Sequence, residues 1–199
     1  MTNKKLILLS ALIVLVITIS GICYFLLRDQ SAQIPNDLSF QTIEEENYDF
    51  WEGNKKLKLI EFIYTHCPDV CPTTTQKMVL LKNDLIQSGV YGSKVELITV
   101  TIDPYRDTKE VMTDYAKAFD AYNDENWHFL IGDSTTTKTL ANTFQFLYND
   151  PGNGFFTHTT FTYLVDENNH FVSKFPMGED FNKDKVFETI MNESENIRK

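Results

Sequence analysis

The sequence predicts an α/β fold carried behind a single membrane-spanning segment, and three observations lead there. Residues 57–64 (LKLIEFIY) and 95–102 (VELITVTI) are near-continuous apolar, β-prone runs, as a strand shows when both of its faces are covered. Segments with helical apolar spacing follow each run, which is the strand, helix, strand, helix order of a parallel sheet. Ahead of them, residues 6–27 form an uncharged stretch of 22 residues rich in Leu, Ile and Val.

As a helix that stretch spans about 33 Å, enough for a hydrocarbon layer of about 30 Å. It exceeds the apolar region of a cleaved secretory signal, about 7–15 residues. Lys4 and Lys5 precede it and Arg28 follows with Asp29 beside it. This bias places the N-terminus in the cytoplasm and the rest of a single-pass chain on the extracytoplasmic side of the cell membrane. A lipoprotein signal ending at Cys23 is the alternative, but Ile22 stands where such signals carry a small residue, so Cys23 reads as a buried structural thiol. Residues 29–37 are polar, with Pro, Ser and Asn and no apolar period. The expected organisation is a cytoplasmic N-terminus and anchor at 1–28, a linker at 29–37 and one domain at 38–199.

Hydrophobic residues at 42% and charged residues at 23% are ordinary for a globular chain and exclude global disorder. The net charge is −10, and since the first 35 residues carry +2, the outer domain holds −12. Such a surface repels phosphate backbones, so nucleic-acid binding is disfavoured. Three cysteines are too few for a disulfide-scaffolded miniprotein.

The elements follow in order. Residues 57–64 make a central strand; residues 73–88 show apolar positions at helical spacing, with Pro72 suited to the first turn and Gly89 closing the helix. Residues 95–102 make a second buried strand. Asp103-Pro104 turns the chain, and Asp107 to Glu110 has capping-box spacing, which makes Asp107 the expected cap of a helix running to Phe119. A short strand at 127–131, a helix at 135–146, a hairpin of 160–165 with 171–175, and a closing helix at 181–192 complete the domain.

Cys67 and Cys71 follow the first buried strand directly and flank a helix start. Free N–H groups and the positive end of the helix dipole favour thiolate there, and thiolates bind soft metals such as Cu(I). A nitrogen ligand would complete a three-coordinate site, and four histidines are available. His66 adjoins Cys67, where neighbouring strand side chains point to opposite faces. His128 and His170 lie in polar surroundings and read as solvated. His158 follows a glycine-bearing loop able to approach the sheet end. A dithiol after a central strand resembles the thioredoxin arrangement, although three residues rather than two separate the cysteines.

Three segments in order, Tyr64 to Pro72 (YTHCPDVCP), Thr101 to Thr108 (TIDPYRDT), and His158 ahead of Phe161 to Asp166 (FTYLVD), resemble the Sco/SenC family of cytochrome oxidase assembly proteins. The resemblance implies a thioredoxin-like fold tethered outside a membrane, copper bound as Cu(I) or Cu(II) through Cys67, Cys71 and His158, and service to the dinuclear copper site of cytochrome c oxidase subunit II. Many members carry Asp before the ligand histidine, where this chain has Thr157. The leading expectation is a copper metallochaperone. The alternative is a thiol-disulfide reductase that uses Cys67 and Cys71 as a redox-active dithiol, keeps the recipient cysteines reduced and is itself renewed by a thiol reductant protein. A stable Cys67–Cys71 disulfide in a binding module is the third reading.

Overall fold

The computed structural model describes residues 3–30, 32–53 and 55–197. Met1–Ala32 and Gln33–Lys199 are separate compact units. In the first, helix α1 covers Asn3–Gln30. Its described side chains, Lys5 and those of 7–22, are all exposed. Among the described residues no helix is long and apolar enough to cross a membrane. Part of the expected span at 6–27 lies outside the described side chains, and the reading of Cys23 lies wholly outside them.

The second unit begins with Gln33 bridged to His170 and Ile34 buried. The end of the stretch expected as linker is therefore tied into the fold. A seven-stranded sheet follows, in the order β2-β1-β5-β4-β3-β8-β9. At its centre β3 (Leu57–Ile63) and β4 (Val95–Thr101) run parallel in register from Leu57↔Val95 to Ile63↔Thr101, and every residue of both is buried. Strand β5 (Trp127–Ile131) continues the parallel part; β1 (Ser39–Thr42), with β2 (Asn47–Asp49) beyond it, and the hairpin β8 (Phe161–Val165) with β9 (Phe171–Pro176) flank it antiparallel. Helix α2 (Val70–Gln87) and the closing helix α5 (Lys183–Asn196) pack on each other, with a 3-10 turn at Gly178–Asp180 between β9 and α5.

Ionisable side chains sit inside this core, among them Lys58 and Glu61 on β3 and Glu96 on β4. The Glu61 carboxylate faces its cross-strand partner Thr99, whose hydroxyl donates to it at 2.7 Å. The Lys58 ammonium donates to the Lys56 carbonyl at 3.3 Å, and burial lowers its pKa.

Several elements differ from the sequence expectation, the closing helix among them, which runs over Lys183–Asn196 rather than 181–192. Helix α2 starts at Val70 rather than 73, which puts Cys71 in its first turn; it ends as expected, with Gly89 at φ +74°. Helix α3 (Lys109–Ala118) is capped by Thr108, whose hydroxyl accepts from Val111 N–H; Asp107 is not the cap because its carboxylate is buried and committed to Thr65 and Thr101. Helix α4 (Ser134–Thr143), capped by Asp133, stops short of 146 because Gln145 turns to φ +56°. That turn leads into a short ladder, β6 (Tyr148–Asn149) against β7 (Thr157–His158), which the sequence did not signal.

Candidate metal centre

Strand β3 ends at Ile63 and the chain turns through His66-Cys67 into α2. The turn is closed by the Cys67 N–H donating to the Tyr64 carbonyl at 3.0 Å. Cys71, one helical turn on, is fully buried, and its N–H donates to Cys67 Sγ at 3.4 Å. The orphan N–H groups of a helix start thus supply a donor to the first sulfur.

The third group arrives from a segment far along the chain. Pairing of Tyr148 with His158, with the Thr159 N–H donating to the Leu147 carbonyl at 2.8 Å, fixes the strand that carries His158. The imidazole lies among aromatic rings, stacked 5.8 Å from Phe146 and edge-on 5.8 Å from Tyr64. Its Nδ1 lies 2.8 Å from the Thr159 carbonyl. A carbonyl can only accept, so Nδ1 carries a proton and Nε2 is the ring nitrogen left for the sulfurs, donating to a thiolate when protonated and offering its lone pair to an ion when not. That carbonyl supplies the orienting contact which the departure at Thr157 left open.

The ligand atoms of Cys67, Cys71 and His158 all lie within 4.8 Å of one another. Metal–ligand lengths of about 2.0–2.3 Å put neighbouring donors within about 4.5 Å, so little movement closes the group on an ion. Both cysteines are free thiols. The hydrogen bond from Cys71 outweighs burial and, with the one from His158 and backbone donors, holds Cys67 down to about 4. The same bond, reinforced by burial and by the Cys67 charge, pushes the Cys71 thiol far above the ordinary range. Burial would lower His158, but the hydrogen bond to Cys67 and the Thr159 carbonyl raise it. In the metal-free group the shifts favour a thiolate at Cys67 that accepts from the Cys71 thiol and, when its ring is protonated, from His158.

The other histidines stay apart from this group. His66 is exposed, with its ring 3.4 Å from the Thr65 hydroxyl. His170 is exposed beside Asp166, as expected. His128 is not solvated as expected: it is half-buried on β5, 4.9 Å from the Tyr48 ring and 3.7 Å from Glu96, at the strand ends opposite the cysteines.

The 103–107 segment, read from sequence as a turn and a cap, touches both sides of the site. Asp107 accepts from the Thr65 N–H at 3.1 Å and from the hydroxyls of Thr65 and Thr101. Arg106 Nη1 donates to the Gly154 carbonyl at 2.9 Å. Adjacent opposite charges directly after a buried strand were the available signal, and the rival capping pattern masked it.

A dithiol at a helix start on a thioredoxin-like sheet, with a histidine brought beside it, defines a protein that can hold a soft metal ion or exchange disulfides. The SCO1/SenC family model matches residues 30–194, and the chain belongs to that family. It is 32% identical over 164 residues to an SCO2-like protein of Rickettsia typhi, covering 78% of this chain and 76% of that one. A SCO1/SenC family lipoprotein from Bacillus anthracis superposes with a TM-score of 0.73 at 21% identity, over 82% of this chain and 96% of the other. The copper-bound ScoI of Bradyrhizobium japonicum does so with a TM-score of 0.62 at 25% identity, over 78% and 96%.

Proposed function

We propose that this protein is a membrane-anchored copper metallochaperone that holds the ion through Cys67, Cys71 and His158 and passes it to the dinuclear copper site of cytochrome c oxidase subunit II. The observation that carries the reading is the convergence of three donors from separate segments within 4.8 Å. Two sulfurs and one imidazole suit a soft, three-coordinate ion. Structural zinc takes four ligands, and among the described residues no fourth Cys, His, Asp or Glu joins the group. Copper in the related ScoI agrees with this choice.

The copper is cargo, so binding must be reversible. The Cys67 thiolate is ready without deprotonation, whereas Cys71 must give up its proton when the ion arrives, and protonation of Cys71 assists release to the recipient's thiolates. The uncharged run of α1, with its described apolar side chains exposed, supports anchoring, and Lys4 and Lys5 support an extracytoplasmic domain. Copper titration monitored by absorption and EPR tests the reading. One Cu(II) per chain with a sulfur charge-transfer band, lost in both Cys67→Ser and Cys71→Ser, is the expected result. Stoichiometric, tightly held copper in both variants would end it.

The asymmetry of the dithiol favours a second activity, reduction of the recipient's cysteines. Cys67 thiolate attacks the recipient disulfide, one recipient sulfur leaves as thiolate, and Cys71 then displaces the other, leaving a Cys67–Cys71 disulfide for a thiol reductant protein to renew. In cells lacking the protein, rescue of oxidase assembly by a small thiol reductant but not by copper would move the function to this second activity.

A further inference from the structure

The ligands come from two chain segments far apart in sequence, and one short turn is bonded to both. The Asp103 carbonyl accepts from the N–H groups of Arg106 at 3.1 Å and Asp107 at 2.9 Å, which folds residues 103–107 into a tight turn after β4. Asp107 points to the dithiol side and, buried, receives the Thr65 N–H two residues before Cys67. Arg106 points to the histidine side. Its Nε pairs with the Asp103 carboxylate, its Nη1 donates to the Gly154 carbonyl, and its guanidinium carbon lies 5.5 Å from the centre of the Phe156 ring. Gly154 and Phe156 lie four and two residues before His158.

The loop held in this way has little stiffness of its own. Within 150–156 the loop's own side chains bond locally, Gly152 N–H to Asp150 and Phe155 N–H to Asn153, and Gly152 and Gly154 both sit at positive φ, at +81° and +89°; Tyr64 adds a hold at Phe156 alone, through that residue's backbone and a ring contact at 5.3 Å, and leaves Gly154 to Arg106. The adjoining β6–β7 ladder is only two residues long on each strand. A planar fork that bonds a carbonyl and covers a ring at once restrains both the position and the tilt of the loop, which a lysine's single point charge cannot do.

We propose that Arg106 is a positioning residue for copper binding: by clamping Gly154 and Phe156 to the turn that also holds Thr65, it sets His158 at ligand distance from Cys67 and Cys71. The proposal rests on His158 serving as the third ligand. An ion that needs the imidazole feels the clamp, and an ion satisfied by two thiolates does not. Arg106 therefore matters for Cu(II), with its preference for nitrogen, and little for Cu(I).

A double-mutant cycle on the full chain in detergent tests this, with Cu(II) chloride and Cu(I) each titrated against a competing chelator. Arg106→Ala should weaken Cu(II) about tenfold, the scale for losing a residue that orients a ligand, and change Cu(I) less than about twofold. In the His158→Ala background the same substitution should change Cu(II) binding less than about twofold. In the metal-free protein, hydrogen exchange across 155–159 should quicken in Arg106→Ala while that of α2 stays unchanged. If His158→Ala leaves Cu(II) binding intact, the ligand assignment falls and takes the proposal with it. If His158→Ala weakens binding but Arg106→Ala does not, or costs the same in both backgrounds, the ligand assignment stands and positioning is overturned. Unchanged exchange across 155–159 also overturns it.

Discussion

Glu61→Gln should stabilise the outer domain at neutral and alkaline pH. Glu61 is fully buried in the centre of β3, and desolvation raises its pKa from 4.5 to about 7 against the opposing pull of Thr99 and Thr75. The Thr75 hydroxyl donates to the Cys71 carbonyl at 3.0 Å and lies 3.2 Å from Glu61, so a protonated carboxyl can donate to Thr75 while accepting from Thr99. Glutamine reproduces that donor and acceptor pair without a charge. Because the folded-state pKa lies above the unfolded one, the folded state holds this proton more tightly. The stability from that proton is fully present below 4.5 and is lost as pH rises through about 7. At about 1.4 kcal/mol per pH unit the loss is about 3 kcal/mol, an order-of-magnitude figure. Urea denaturation of wild type and Glu61→Gln at pH 5, 6, 7 and 8 reads it: the variant should gain steadily on the wild type and level off above pH 7. A stability difference that stays flat with pH, or that moves the other way, would refute the reasoning.

Other outcomes follow from the same contacts. Iodoacetamide should alkylate Cys67 in the reduced, metal-free protein at a rate that holds from pH 8 to pH 5 and falls only as pH drops through about 4, with Cys71 modified far more slowly, as mass spectrometry would resolve. Asp107→Ala leaves the half-buried donors of Thr65 and the buried hydroxyl of Thr101 without their acceptor and should cost about 3 kcal/mol, read as a lowered urea midpoint; a loss under about 1 kcal/mol would mean water replaces the carboxylate. The unit Gln33–Lys199, expressed without α1, should be soluble and unfold in one cooperative transition, and aggregation relieved only by restoring α1 would contradict that boundary.

The sequence announces the elements that are buried on both faces. Strands β3 and β4 are legible because double-sided burial leaves an almost continuous apolar run, and α2 because a cysteine, a proline and a terminal glycine punctuate it. Single charges such as Lys58 and Glu61 do not erase such a run, yet their burial is invisible without the partners that fold against them. The β6–β7 ladder is held by backbone bonds between two residues on each side, too short for any side-chain period, so the strand that places His158 left no pattern. The cysteine pair could be read from spacing, since five residues of chain confine it. The histidine could not, because its approach depends on the turn at Gln145 and on Arg106 reaching Gly154 across 48 residues. Asp107 illustrates the remaining gap, since a buried acceptor and a helix cap ask for the same residue type at nearly the same place.

X-ray absorption at the copper edge of the loaded full chain counts the donor atoms on the ion and so decides whether Cys67, Cys71 and His158 hold it. The Cu(II) form should show two sulfur scatterers and one imidazole nitrogen, with the nitrogen shell lost in His158→Ala and both sulfurs retained. A first shell made only of nitrogen and oxygen, or an imidazole signal that survives His158→Ala, would contradict that ligand set.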